Sequence, residues 1–184
     1  MAASNNNLTQ NGCTTNDKND LAKLRWATGN LKSTGSTNYI WAPSQTEIGY
    51  YYAFNKLYNG STGDPCSKLN TAYYGTGWRT PSKNELEKLS RCTDKVFTNN
   101  GMWFMNKSLG VFLKAGGVRQ ESGSGTNGAT YTDHGCYWTS TIGTSKNAYN
   151  MEFWNTEAHV NNTSSWFGLQ TNGLLIRCVK GTKQ

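Results

Sequence analysis

Apolar and polar residues alternate most regularly between Gly135 and Lys180. Tyr137 and Trp138, Met151 and Phe153, then Leu174, Ile176 and Val179 are separated there by short polar side chains. A period of two predicts half-buried β-strands, with one face on a core and the other in solvent. On the last of these strands Leu174, Ile176 and Cys178 share one face, while Leu175 and Arg177 share the other. The same pattern assigns Met151 and Phe153 to the core and points Asn147, Asn150, Asn155 and Asn162 outward.

The rest of the chain gives shorter signals. Leu24–Ala27 reads as a first strand, Ser33–Asn38 as a turn and Tyr39–Ala42 as the returning strand. The aromatic run Tyr50–Tyr58 fits strand and helix templates equally, and Asn59–Pro65 reads as a loop. Ser82-Lys83-Asn84-Glu85 has the spacing of a capping box. With Leu86 and Leu89 three apart behind it, the spacing predicts a helix from Ser82 to about Cys92. Asn100-Gly101 predicts a hairpin turn, followed by a strand over Met102–Met105. Val111–Val118 is a further short strand, and Ser122–Gly128 is an exposed loop. Met1–Asp20 is polar throughout and reads as a mobile leader, which leaves residues 21–184 as a single domain. No repeat or interdomain linker interrupts it.

Composition narrows the fold class. In 184 residues, 7 Trp, 10 Tyr and 20 Gly stand beside few charged residues, which suits a loop-rich β or α+β domain better than a helical bundle. No apolar run approaches the roughly 20 residues of a membrane span, so no membrane insertion is expected. The first ten residues show no charged-then-apolar secretory pattern. The net charge of +7, from 18 Lys and Arg against 11 Asp and Glu, is scattered along the chain. Without a focused basic run it predicts a solvated surface rather than a nucleic-acid partner.

Candidate chemistry is sparse. The 5 cysteines allow at most two internal disulfides with one thiol left over. None forms a C-x-x-C pair, and the 2 histidines, His134 and His159, lie far apart in sequence, so no zinc site, other metal or cofactor is predicted. Cys178 shares a face with Ile176 and reads as a buried thiol or half-cystine. What remains is short hydrogen-bonding side chains beside large aromatics, a mixture suited to recognition. The candidate ligand contacts are Asn147, Tyr149, Asn150, Glu152, Trp154, Asn155, Asn161, Asn162, Trp166 and Phe167, with Trp78 and Trp138 kept for the scaffold.

Several ordered motifs carry a family resemblance. They are Trp26-Ala27-Thr28-Gly29-Asn30-Leu31, Cys66, Gly77-Trp78-Arg79-Thr80-Pro81-Ser82 with Glu85 and Leu89, and Phe112-Leu113-Lys114-Ala115-Gly116-Gly117. Gly135-Cys136-Tyr137-Trp138-Thr139-Ser140-Thr141 and Ile176-Arg177-Cys178-Val179 complete the set. Together they resemble the Fibrobacter major-paralogue (FISUMP-like) domain family, over nearly all of Leu24–Lys180. The chain departs at Thr80, where the family usually has Leu, and around Lys68–Thr76, which is longer than usual. The resemblance implies an α+β, C-type-lectin-like (formylglycine-generating-enzyme-like) fold: short twisted antiparallel sheets, one or two helices and long loops. It also implies that the segments near Leu24 and Leu174 pair, bringing the termini together.

The same architecture serves the variable proteins of diversity-generating retroelements, and Tyr137–Cys178 resembles their mutagenised stretch in place and composition. The function implied is a non-enzymatic receptor- or adhesin-type module that binds a protein or glycan ligand on a cell surface and is displayed on a cell or virion. A structural or fimbrial tip domain without such a ligand is the alternative. A formylglycine-generating oxidase using Cys136 and Cys178 is the enzymatic one. Calcium is not expected, because the Glu-Pro-Asn and Trp-Asn-Asp signatures of many C-type lectins are missing.

Overall fold

The computed structural model describes residues 12–107, 109–120, 124–161 and 166–182. Its helices are α1 (Thr15–Ala22), α2 (Thr71–Tyr74) and α3 (Lys83–Arg91). The strands are β1 (Arg25–Trp26), β2 (Leu31–Ser33), β3 (Tyr39–Trp41), β4 (Trp78–Arg79), β5 (Asp94–Phe97), β6 (Gly101–Asn106), β7 (Leu109–Lys114), β8 (Gly135–Ile142), β9 (Ala148–Trp154), β10 (Glu157–Asn161) and β11 (Val179–Lys180). The architecture is mixed α+β, built mostly from short antiparallel sheets: β1-β11-β4, β2-β3, β5-β6-β7 and β10-β9-β8.

The two ends of the described chain meet. Arg25 pairs with Lys180 and Trp26 with Val179, and the Ala27 and Leu31 amides donate to the Cys178 and Ile176 carbonyls. Leu174 itself bridges Tyr52. A disulfide between Cys66 and Cys178 fastens the junction, and Cys136 is left as the free cysteine.

The capping box at the start of α3 forms as its spacing predicts. Ser82 Oγ accepts from the Glu85 amide at 3.2 Å, and Glu85 Oε2 accepts from the Ser82 amide at 2.7 Å. The Arg79 guanidinium then forks onto both Glu85 oxygens at 2.7 and 2.5 Å, so a fully buried carboxylate is paired and fixed. Between β5 and β6 the hairpin centres one residue earlier than Asn100-Gly101 suggests. Asn99 and Asn100 both take φ of 51°, the conformation a type I′ turn requires. Gly101 falls into the strand, where a Cβ would sit 2.7 Å from the Leu113 carbonyl oxygen.

Two expectations need correction, and one reading that the sequence left open is resolved. The polar leader does not extend to Asp20: α1 has its own capping box at Thr14 and Asp17, Cys13 is disulfide-bonded to Cys92, and Lys88 and Arg91 of α3 pair with Asp20 and Asp17. Low hydrophobicity hid this helix, which is held by a covalent bond and ion pairs more than by an apolar face. The Tyr50–Tyr58 run forms isolated bridges at Tyr51, Tyr52 and Lys56 and no helix. The last strand segment is not half-exposed either, since every residue from Asn172 to Val179 is buried. The cause is its placement, together with β8 and β9, between two cores: Leu175 joins the first, and Leu174, Ile176 and Cys178 the second. Tyr137, Met151 and Phe153 join one with Leu86, Leu89, Met102 and Phe104. Cys136, Trp138 and Ala148 join the other with Leu31, Tyr52, Leu174 and Ile176.

Candidate binding surface

The register of β8, β9 and β10 sorts their side chains. Cys136 lies opposite Glu152 and Glu152 opposite His159, while Trp138 lies opposite Asn150 and Asn150 opposite Asn161. Directly paired residues share a sheet face. This face therefore carries Cys136, Trp138, Asn150, Glu152, Trp154, His159 and Asn161, and Met151 and Phe153 point the other way. Asn150 and Glu152 alternate with the core residues as expected, yet they are 0% and 5% exposed. Asn150 Nδ2 donates to Glu152 Oε1 at 2.9 Å. The outward placement of Asn150 and the choice of Glu152 as a ligand contact are thus overturned: their face is covered, and they form its buried polar interior.

Where that face reaches the end of β9, aromatic rings come to the surface. The Trp154 indole lies between two imidazoles, with ring centroids 5.3 Å from His134 and 4.9 Å from His159. Phe167 continues the run beside His134, and Tyr131 and Trp166 close it. Tyr131 is 51% exposed and Trp166 is 43% exposed. The ring pairs with Tyr131, and the Trp166–Phe167 pair, meet edge-to-face, the geometry that aromatic quadrupoles favour.

Two backbone features hold these rings in place. Gly117 has φ of 68°, and a Cβ there would lie 1.9 Å from the Thr130 carbonyl oxygen, so only glycine lets the Tyr131–His134 turn sit against it. The Gly116 and Gly117 amides donate to the His134 carbonyl, and the His134 amide donates to the Tyr131 carbonyl. Tyr131 itself takes φ of 53°, an uncommon conformation for a bulky residue and one that concentrates at functional positions. On the other side, Asn172 Nδ2 donates to the Trp166 and Phe167 carbonyls at 3.0 and 3.2 Å and ties down their turn. The His134 imidazole shares a 2.9 Å contact with Asp133, whose carboxyl is held below its ordinary value chiefly by that hydrogen bond.

The structure therefore brings together Trp154, Trp166 and Phe167 of the predicted set, with exposed Asn155 in the turn after Trp154. Asn147 sits at the opposite end of β9 and half-buried Asn161 at the end of edge strand β10. Tyr149 shares the face of Met151, and the Lys83 ammonium lies 4.6 Å from its ring centroid. Asn162 lies outside the described residues. Tyr131, His134 and His159 are the residues that the sequence did not single out. The histidines are 25 positions apart along the chain, but antiparallel pairing places them on either side of one tryptophan.

No family model, curated protein or solved structure matches this chain.

Four cysteines are bonded and the fifth is buried. Cys178 is bonded to Cys66, and Cys136 is fully buried, its thiol pushed well above the ordinary value by burial and by the Glu152 charge. Cys13, Asp17 and Cys92 have the spacing of a metal cluster, but both sulfurs are committed to the disulfide. Among the described residues, no helix is long and apolar enough to cross a membrane.

Proposed function

We propose that this chain is a non-enzymatic ligand-binding module of C-type-lectin-like fold whose recognition surface is the aromatic group Tyr131, His134, Trp154, His159, Trp166 and Phe167. The observation that carries this reading is the continuous run of ring contacts ending in two half-exposed aromatics. Large, rigid rings bind at low entropy cost, and tryptophan and tyrosine dominate binding hot spots. Exposed Asn155 and Asp133 supply polar groups at the margin.

The lectin-like assignment draws support from the paired terminal segments and from α3 following the Gly77–Ser82 motif. The two disulfides favour an oxidising setting, in keeping with display on a cell or virion surface. A partner presented on a cell surface, protein or glycan, is the ligand class we assign. Membership among the variable proteins of diversity-generating retroelements is the finer form of this proposal. It requires a neighbouring reverse transcriptase and an imperfect copy of the Tyr137–Cys178 coding stretch.

The direct test is a screen of glycan and cell-surface protein arrays with the wild-type chain and with Tyr131→Ala and Trp166→Ala. Wild-type binding that falls at least tenfold in both variants, at unchanged melting temperature, supports the module. Binding that survives both substitutions removes this surface from the proposal. No binding to any array favours the structural or adhesin-tip alternative.

A further inference from the structure

A cleft lies at the other end of β8 from the aromatic surface. The β8–β9 register shifts between Trp138 and Ile142, and the bulge releases the strand from its partner. The Ser140 amide donates instead to the Pro81 carbonyl, and Thr139 Oγ1 donates to the Tyr149 carbonyl. Bulges of this kind re-aim side chains next to binding sites. Here the bulge borders a cleft of about 300 Å³ lined by Phe54, Asp64, Trp138, Ser140, Ile142 and Ile176, among others. That volume is at the lower end for small-molecule sites.

The floor is apolar and rigid. Phe54 meets the Trp138 ring edge-on at 5.4 Å, and Trp138 Nε1 donates to the Tyr52 carbonyl at 2.7 Å, which fixes the indole. Ile142 stands at the rim with 61% of its surface exposed, an apolar side chain with no core to cover. Asn55, also on the wall, takes φ of 50°.

Two polar groups restrict what fits. Asp64 accepts from the Cys66 amide and from the Thr80 amide and hydroxyl, so its carboxylate is rigidly held on one wall and repels anions. Ser140 Oγ is turned inward, buried and without a hydrogen-bond partner. An orphan hydroxyl of this kind is costly, and one staggered χ1 step separates it from another direction. A ligand that offers it a partner recovers that loss.

We propose that this cleft binds a small ring-bearing molecule, neutral or cationic, whose ring lies against Phe54 and Ile142, over the buried Trp138, and whose polar substituent hydrogen-bonds Ser140. The site is independent of the aromatic surface. The cavity of about 340 Å³ beside the Cys13–Cys92 disulfide is lined by Lys18, Arg91 and Lys107 together with Ala22, Met105 and Leu109, and it offers no aromatic ring.

The test uses phenol, benzylamine, toluene and benzoate as probes, followed by saturation-transfer NMR and by titration of the Trp138 indole resonance. Phenol and benzylamine are expected to bind with millimolar dissociation constants, as small fragments do, and benzoate at least tenfold more weakly. Ser140→Ala is expected to weaken phenol about fivefold and leave toluene unchanged, in line with one net hydrogen bond. Ile142→Asp, a change at an exposed position, is expected to weaken every probe tenfold or more. Trp166→Ala should alter none of these values, so failure of the aromatic surface leaves this result standing. The proposal is overturned if no probe shifts the Trp138 resonance, if binding survives Ile142→Asp, or if benzoate binds as tightly as benzylamine.

Discussion

Arg177 Nε donates to Asn30 Oδ1 at 2.9 Å across 147 positions of sequence, joining the strand segments at the two ends of the fold. Both residues are buried. Arg177 also donates to the Ala27 carbonyl, and Asn30 Nδ2 donates to the Ile48 carbonyl and to the Tyr137 hydroxyl. Burial pulls the Arg177 pKa below its ordinary value, and the Tyr137 hydroxyl is pushed up to about 12. Asn30→Ala therefore orphans a charged donor and should cost roughly 2–4 kcal/mol. Arg177→Met removes the donor that Asn30 serves, so the double variant should be less destabilised than the sum of the singles. Strict additivity in denaturant unfolding would show that the pair is not coupled.

The cap of α3 offers a graded test. Ser82→Ala leaves one helix amide unpaired and should cost roughly 0.5–2 kcal/mol. Glu85→Ala should cost more, because the Ser82 amide and the Arg79 guanidinium lose their acceptor together. A smaller loss for Glu85→Ala than for Ser82→Ala in thermal melts would contradict the pairing described above.

Acid should loosen α1 before the rest of the domain. The Thr14 amide, with help from Arg91, holds the Asp17 carboxyl below its ordinary value of 3.8, and Lys88 does the same for Asp20. The folded state thus releases these protons more readily than the unfolded chain. The stabilisation is present above the ordinary carboxylate value and is lost as pH falls through the lowered folded-state values. Amide exchange should show α1 losing protection below about pH 4 while α3 keeps it. Lys88→Met should flatten that dependence. Equal loss in both helices would mean that acid acts globally instead.

How much of this was legible varied with how local the signal was. The α3 cap and the alternation of Met151 and Phe153 with polar neighbours are short-range patterns, and each appears where the chain predicts it. The return strand at Tyr39–Trp41 also forms, but its partner is Leu31–Ser33 and not the Leu24–Ala27 segment, which pairs with β11. Alternation reports parity, however, and says nothing about what covers each face. Asn150 and Glu152 have the expected parity but lie beneath a second core formed by residues distant in sequence. The aromatic surface was half legible for the same reason, since Tyr131, His134 and His159 meet Trp154 only through sheet pairing and the Gly117 turn. Burial now reverses the expected tolerance. Asn155→Ala should change stability by within about 0.5 kcal/mol, whereas Asn150→Ala should cost about 1–3 kcal/mol by removing the amide that serves Glu152. Phe153→Ala should cost roughly 3–5 kcal/mol. Equal melting temperatures for Asn150→Ala and Asn155→Ala would return Asn150 to the surface.

Gly117 links scaffold to surface most directly. Its φ of 68° disfavours any side chain, and the Thr130 and Tyr131 carbonyl oxygens occupy the space that a Cβ would need. Backbone atoms cannot yield as the tip of a flexible side chain can, so Gly117→Ala must move the turn that carries Tyr131 and His134. The expected cost exceeds about 1 kcal/mol, the usual margin for alanine at positive φ. Ligand affinity should fall with it, although no ring has been altered, because hot-spot rings act only when held in register. Trp166→Ala separates the two effects: its half-exposed ring should contribute to affinity with little change in melting. Measuring unfolding and array binding on both variants gives the decisive pattern. If Gly117→Ala melts early yet binds like the wild type, the Tyr131–His134 turn is not part of the recognition surface.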